Sequence, residues 1–326
     1  MKAIQILGDV SSPEIATNRS MVKPIPKNSE LLVSVHAAGI TGDEIIWPEP
    51  YASPTRIPGH DVSGVISSTG SDYQGPLEIG QEVFALLGAD RGQGQADYVI
   101  CLPSEVAPKP TTLSHAEAAA LPIPLLTAWE ALVNHGSLKS HQSGKRVLIT
   151  GASGAVGTFA VQFAARVFGA HVIALASSRN HEMLRQLGAS EVLDYGIIDW
   201  ETKVAGVDVV FDTVGGDILG KTWECVKDDG VIVTVGDPAP AWAFGQGQAE
   251  ESVDHPNVRY VHFIVSPNAE ELRKAGEMID NGSLEKLAVK SFPFDEAKAA
   301  WECARQRSRG YKVVIDFERC YLDMTN

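Results

Sequence analysis

Apolar and polar positions along the chain fall into two regimes. Through the first third, short runs such as "KAIQIL", "LLVSVHAAGI", "DVSGVISSTG", "QEVFAL" and "QADYVICL" stand between breaks that carry Gly and Pro. Such runs at such spacing predict strands of a compact β barrel or sandwich. The pattern changes at "LSHAEAAALPIPLLTAWEALVNHG", an Ala- and Leu-rich helix opened by a Ser114-x-x-Glu117 capping box and closing near Gly136. Pro122 and Pro124 must break or kink it, because proline removes a helical donor and clashes with the preceding turn. From residue 145 to about 264, "RVLIT", "HVIALA", "EVLDY", "VDVVFDTV", "GVIVTVG" and "VRYVHFIV" alternate with helical stretches. That alternation predicts a parallel, doubly wound sheet. The tail adds helices at "NAEELRKAGEMIDNG" and "DEAKAAWECARQ" and a closing strand "YKVVIDF", while residues 236–257 read as a mobile loop.

Within the alternating segment, "VLITGASGAVGTFAVQFAARVFGA" (147–170) runs a strand into Gly151, Gly154 and Gly157, then into a helix. Glycine permits φ > 0 in such a turn and lets backbone N–H groups approach a pyrophosphate at the helix N-terminus. Aligned on its last two glycines the motif is A-x-G-x-x-G, spanning Ala152, Ser153, Gly154, Ala155, Val156 and Gly157. Placed between a strand and a helix, it reads as a dinucleotide-binding turn, with a plain strand-to-helix turn as the alternative. The next strand ends in Ser177, Ser178 and Arg179, with no acid about 20 residues on to accept from a ribose 2′-OH. Two hydroxyls and a guanidinium suit a 2′-phosphate. NADPH is therefore expected over NADH, and a solvated loop charge is the other reading of Arg179.

Composition narrows the field. A chain of 326 residues fits two domains, and 44% hydrophobic with 21% charged residues is ordinary for a globular protein. The net charge of −14 argues against nucleic-acid or anionic-membrane partners, which need clustered Lys and Arg. "MKAIQILGDV" shows no apolar leader segment, and no apolar run is expected to span a bilayer. Cys101, Cys225, Cys303 and Cys320 are scattered with no C-x-x-C pair. Neither a disulfide framework nor a structural zinc lobe is expected, and the location expected is cytoplasmic.

Read with Thr150, the turn is T-G-x-x-G-x-x-G and is similar to the start of extended short-chain dehydrogenases. There the turn lies close to the N-terminus, whereas here a β-rich segment precedes it. No tyrosine in this chain has a lysine four residues later, so that family's acid/base pair is absent. The order of β domain, Rossmann domain and short return instead resembles the medium-chain dehydrogenase/reductase superfamily. More narrowly it resembles the zinc-independent quinone oxidoreductase (ζ-crystallin-like) branch, through "VHAAGI", "RIPGHDVSGVI", "GQEVFAL", "LSHAEAAALPIPLLTAWEAL", "VLITGASGAVG", "LGASEVLDY", "DVVFDTVGG" and "RGYKVVI". The resemblance implies an α/β fold: a GroES-like, β-rich catalytic domain (1–120 and 265–326) with an inserted Rossmann-type NADPH-binding domain (121–264). It implies a homodimer joined along the Rossmann sheet edge. It also implies Tyr195 near the adenosine phosphate, and Thr127, Val214, Gly236 and the backbone of Phe263, Ile264 and Val265 around the nicotinamide ribose and ring.

His60, in "PGHDVSG", resembles one zinc ligand of the metal-dependent cousins, but their cysteine positions here hold Thr41 and about Ile123. Catalytic zinc normally needs three protein ligands, so no metal is expected and His60 is expected to be a hydrogen-bonded structural residue. Without a Lewis acid, hydride transfer to an already electrophilic conjugated carbon needs the least help. The expected reaction is NADPH-dependent reduction of a small electrophilic substrate, a quinone or an α,β-unsaturated carbonyl. The chain must position it, stabilise a developing enolate and deliver a proton. Related zinc-free reductases often place Asn after "AAG"; Thr41 offers a hydroxyl there, one donor without an amide's paired acceptor. Tyr51, in "WPEPYASPTRIPGH", is the candidate proton donor or enolate stabiliser, with an exposed loop aromatic as the alternative. Asp43 and Glu44 are expected as solvated or capping charges, and Trp47 as a cleft wall or core residue. The Thr41 substitution leaves a second reading open: an NADPH-binding protein with weak or lost reductase activity, acting as a sensor or partner protein.

Overall fold

A computed structural model describes residues 1–139, 144–245, 247–306 and 310–317, so Cys320 lies outside the described residues. The first segment contributes strands β1 (Ala3–Asp9), β2 (Ser12–Asn18), β3 (Leu31–Ile40), β4 (Asp61–Thr69), β5 (Glu82–Leu86), β6 (Tyr98–Cys101) and β7 (Val106–Pro108). Its helices are α1 (Pro48–Ala52) and α2 (His115–Ala118). The middle segment carries β8 (Arg146–Ile149), β9 (His171–Leu175), β10 (Glu191–Leu193), β11 (Val207–Asp212), β12 (Val226–Thr234) and β13 (Arg259–His262). Its helices are α3 (Pro122–Trp129), α4 (Ala155–Gln162), α5 (His181–Leu187) and α6 (Gly216–Thr222). The chain returns with α7 (Ala269–Asp280), β14 (Val289–Pro293), α8 (Ala297–Ala304) and β15 (Lys312–Asp316).

Two compact units result: Met1–Ile123 with Ser266–Gly282 and the chain from Lys286 onward, and Pro124–Val265 with Ser283–Glu285. In the first unit, a seven-stranded sheet runs β14-β15-β3-β4-β5-β7, with β6 also on β3, beside the hairpin β1–β2. Strand β3 is its hub: one edge pairs with β4, while the other is shared by β6 along Leu31–Ser34 and β15 along Ala37–Ile40. The near-continuous burial of "LLVSVHAAGI" follows from that position. Three strands escape a reading of the sequence. β2 and β14 have no fully buried position, so neither shows a strong apolar alternation, and β7 has only three residues.

In the second unit all six strands are parallel, in the order β10-β9-β8-β11-β12-β13. The buried Val, Ile and Leu runs of the inner strands β9, β8, β11 and β12 are what a sheet covered on both faces demands. Strand order reverses direction between β8 and β11, the topological switch point where open α/β sheets bind ligands. The loop expected at 236–257 carries two short 3₁₀ turns, Ala241–Phe244 and Glu250–Val253, with Trp242 edge-on to Tyr260 at 4.9 Å.

The Ser114–Glu117 capping box forms as expected, with Glu117 N 3.3 Å from Ser114 Oγ and Ser114 N 3.0 Å from Glu117 Oε2. The two prolines act as expected too: α2 ends at Ala118 and α3 restarts with Pro122 in its first turn. One expectation is corrected here. The stretch His115–His135 is long and apolar enough to cross a bilayer by length and composition, with mean hydropathy 1.3. It is 67% buried inside the protein, and a core helix passes the same test for that reason.

Candidate functional site

The expected cofactor residues of the second unit fall in a row at the C-terminal ends of its parallel strands. Ala152–Gly157 follow β8, Ser177–Arg179 follow β9 and Tyr195 follows β10. Val214 follows β11, Gly236 follows β12 and Phe263–Val265 follow β13. Thr127 stands apart from this row, within α3 and 4% exposed. The turn itself requires its glycines. Gly151 sits at φ +57°, and a Cβ there would lie 2.3 Å from Thr213 Oγ1. A Cβ on Gly157 would meet the Gly151 carbonyl oxygen at 2.4 Å and Ala152 Cα at 2.6 Å, so α4 is packed directly on the turn. Gly154 is the residue before α4, its backbone extended and its amide bonded to Gly151 O at 2.9 Å. A close-packed glycine turn at a helix start and a switch point fits a dinucleotide.

A carboxylate absent from the sequence reading organises these strand ends. Asp212, wholly buried at the end of β11, accepts four hydrogen bonds. Thr150 Oγ1 donates to it at 2.5 Å, Thr234 Oγ1 at 2.6 Å, Gly215 N at 3.0 Å and Val214 N at 3.2 Å. Thr213 reaches back to the β8 end, its N to Thr150 Oγ1 at 3.1 Å and its Oγ1 to Thr150 O at 3.0 Å. Gly236 N closes the set on Thr234 Oγ1 at 3.0 Å. One buried acid thus locks the exits of β8, β11 and β12, which carry the glycine turn, Val214 and Gly236.

The end of β9 corrects the expectation of an acid-free pocket. Asp194, from the end of β10, accepts from Ser178 N at 2.6 Å and from the Ser178 hydroxyl. The Ser178 hydroxyl and the Gly196 amide, with the Ser178 amide adding to them, hold the Asp194 carboxyl below its usual range against the opposing effect of desolvation. The Ser178 proton is therefore committed to Asp194. Ser177 is half-buried, and Arg179 and Tyr195 are exposed.

In the first unit the strand register assembles a second cluster. In the antiparallel β15–β3 ladder Val313 opposes Ile40, so one step further sets Lys312 against Thr41. In the β3–β4 ladder Ala38 opposes Val62, which sets Asp61 against Gly39. Lys312 Nζ accordingly lies 3.1 Å from Thr41 Oγ1 and 3.4 Å from Asp61 Oδ2, and Asp61 Oδ1 accepts from Ile123 N at 2.7 Å. Asp61 is 1% and Lys312 7% exposed. Burial pushes the Asp61 carboxyl above its ordinary value, with Lys312 as the main opposing influence.

Glu44, expected as a solvated or capping charge, is instead 1% exposed. Its Oε1 accepts from Gly59 N at 2.6 Å and lies 3.1 Å from His60 Nδ1. His60 is the structural histidine expected, 4% exposed, with Nε2 3.3 Å from Ala89 O and its ring 5.7 Å from that of Trp47. Burial, the largest single effect, opposes a charged ring. Attraction and hydrogen bonding to Glu44, the Ala89 carbonyl and Asp61 together outweigh it, and His60 titrates above its ordinary value.

Both expected catalytic residues lie in this unit, in different states. Thr41 Oγ1 accepts from Lys312 and keeps its own proton to donate. Tyr51 donates its hydroxyl proton to Ile45 O at 2.6 Å and packs its ring against the core, with Arg56 5.7 Å from the ring centre. Desolvation, slightly offset by Arg56, raises its hydroxyl above the ordinary value. The Tyr51 hydroxyl, the candidate proton donor or enolate stabiliser, is thus engaged with a backbone carbonyl in this structure. Zinc does not fit this donor set. Both ring nitrogens of His60 face acceptors already, Thr41 is engaged by a lysine, and among the described residues no three His, Cys, Asp or Glu side chains converge.

Comparison with known proteins agrees with this architecture. Residues 27–111 match the alcohol dehydrogenase GroES-like domain family, and residues 187–315 match the family described as zinc-binding dehydrogenase. The chain is 31% identical over 301 residues, 88% of each chain, to a probable zinc-binding oxidoreductase, mitochondrial, of Arthroderma benhamiae. It is 30% identical over 328 residues, 89% of this chain and 84% of the other, to the NAD(P)H oxidoreductase RTN4IP1, mitochondrial, of Danio rerio. The solved quinone oxidoreductase of Coxiella burnetii superposes with a TM-score of 0.83 at 27% identity, covering 98% of this chain and 100% of the other. The mitochondrial relatives overturn the expected cytoplasmic location, since scattered reduced cysteines do not separate the cytosol from an organelle matrix. The chain is an oxidoreductase and belongs to the medium-chain dehydrogenase/reductase superfamily, in its zinc-independent, quinone-oxidoreductase-like branch.

Proposed function

We propose that the protein is an NADPH-dependent, zinc-free reductase of quinones or α,β-unsaturated carbonyls. When bound, a reduced nicotinamide dinucleotide supplies a hydride to the electrophilic carbon of the acceptor. The observation that carries the reading is the Lys312–Thr41 pair; the resemblance implies that Thr41 stands where metal-dependent cousins place a cysteine ligand. A hydroxyl backed by an ammonium is a hydrogen-bond donor for a developing enolate or quinol oxygen, and it supplies no ligand for a metal. The single proton that completes the reduction then comes from water, or from the Tyr51 hydroxyl once its hydrogen bond to Ile45 O is broken. An alcohol substrate would place a full, localised alkoxide charge against this hydroxyl, which a single hydrogen-bond donor stabilises less well than a metal ion does.

The preference for the 2′-phosphorylated cofactor rests on Arg179, Ser177 and Tyr195 at the ends of β9 and β10. Asp194 opposes it, since a carboxylate here accepts from a ribose hydroxyl and repels a phosphate. Two copies pairing along β13, the outer strand of the parallel sheet, would give the homodimer; sedimentation velocity showing a monomer at micromolar concentration would remove that part. The reading as a whole is tested at 340 nm by following oxidation of NADPH and NADH with 1,4-benzoquinone and 2-cyclohexen-1-one and, in parallel, formation of NADPH from ethanol and NADP⁺. Turnover of the quinone or the enone with NADPH favoured supports it; turnover of the alcohol alone refutes it.

A further inference from the structure

Of the buried lysines among the described residues, Lys109 and Lys312, the first is spent on structure. Lys109 Nζ donates to Pro110 O at 3.0 Å and to Leu113 O, and lies 3.3 Å from Glu82. Lys312 differs, because its near neighbours are a carboxylate and the hydroxyl of the residue proposed to face substrate. An ammonium is three donors and no acceptor, whereas a hydroxyl is both. Once Thr41 Oγ1 accepts from Lys312, its own proton is directed away from the lysine. The ammonium is itself held from behind: Asp61 draws it at 3.4 Å, and the Ile123 amide pins Asp61 at 2.7 Å. The whole row is fixed by the register of three adjacent strands, β15, β3 and β4.

We propose that Lys312 is a positioning residue for the reductase reaction, acting through Thr41: it fixes the threonine hydroxyl as a donor, proton outward, for the oxygen on which negative charge develops. This rests on the proposed reduction of an electrophilic carbonyl compound. Lys312 does not touch substrate, and Asp61 serves the same end one step removed. A lysine that merely neutralised Asp61 would serve stability alone, and its loss would act on folding and not on turnover.

The test uses the full-length enzyme with NADPH and either 2-cyclohexen-1-one or 1,4-benzoquinone, whichever the wild type reduces. Variants are K312M, T41V, the double K312M/T41V, and K312R, each checked by thermal melting and by NADPH fluorescence titration. The inference expects K312M and T41V each to lower kcat by about tenfold to a hundredfold, with KM within about threefold and NADPH affinity unchanged. The double variant should be no slower than T41V, because the lysine acts only through the threonine. K312R should recover much of the loss. Should K312M fail to fold with Asp61 uncompensated, K312M/D61L removes both charges together, and the same loss of kcat is expected. A wild-type kcat in folded K312M or K312M/D61L overturns the inference, and so does a double variant whose losses multiply. A wild type that turns over neither acceptor overturns the reaction itself, a failure seen before any variant is compared.

Discussion

Removing the Asp212 carboxylate should unlock the ends of three strands at once. The group is fully buried and accepts from two hydroxyls and two backbone amides at 2.5–3.2 Å. In D212A the threonine hydroxyls can turn to other acceptors, but the Val214 and Gly215 amides are left without theirs. A stranded buried amide costs about 1–3 kcal/mol, so the pair costs about 2–6 kcal/mol before any relaxation or entry of water. At about 1.4 kcal/mol per factor of ten, local opening of this region should become at least about thirtyfold more frequent. Hydrogen exchange read by mass spectrometry on peptides covering 150–158 and 212–216 reports that opening directly. Cofactor affinity should fall about tenfold or more, because Gly151, Val214 and Gly236 lose their common anchor. D212N, which keeps the shape and one acceptor oxygen, should fall between. Exchange in D212A within about threefold of wild type, with unchanged cofactor affinity, would mean that the carboxylate is not the organiser argued above.

Further outcomes follow from the same geometry. R179A should weaken NADPH binding about tenfold while leaving NADH nearly unchanged, and D194N should strengthen NADPH; parallel fluorescence titrations check both, and equal losses for the two cofactors would contradict the assignment. G157A forces a Cβ to within 2.4 Å of a backbone oxygen and should cost about 1–3 kcal/mol in urea unfolding and impair cofactor binding. G154A, whose nearest heavy atom would be at 3.2 Å, should be much milder. His60 should titrate by NMR above its ordinary value of 6.5, and lower in E44Q than in the wild type, since burial then acts against fewer opposing influences. Because the folded state holds that proton more tightly, His60's contribution to stability is full below about pH 6.5 and is lost as pH rises through the folded-state pKa.

What was legible in the sequence follows from how local each signal is. The four inner strands β9, β8, β11 and β12 of the parallel sheet announce themselves as buried Val- and Ile-rich runs, and the glycine turn is contiguous, so its residues were found by reading alone. The capping box at Ser114 is equally local. The edge strands β2 and β14 were not found, because an exposed strand with one partner has no apolar face to betray it. The groups that position the site were missed for another reason. Lys312 and Thr41 are 271 residues apart, and only the β15–β3 register joins them. Asp212 and Asp194 do leave a trace, as acids that end apolar runs in "VVFD" and "VLD". An acid at the exit of a buried parallel strand is costly unless it is fully hydrogen-bonded, so such an ending marks a site as readily as a glycine turn does. Glu44 was misjudged because a glutamate in a turn is usually solvated, and its burial depends on Gly59 and His60 arriving from the next strand's approach.

The central claim, that this chain directs a hydride onto an electrophilic carbon without metal assistance, is tested most directly by isotope transfer. The enzyme, treated with a chelator and shown by elemental analysis to be zinc-free, is given NADPH deuterated at C4 and 2-cyclohexen-1-one, and the product is analysed by mass spectrometry and NMR. The account predicts one deuterium from a single face of the cofactor at the β-carbon, and a solvent-derived proton at the α-carbon. Deuterium at the carbonyl carbon, or transfer that requires added zinc, would contradict it.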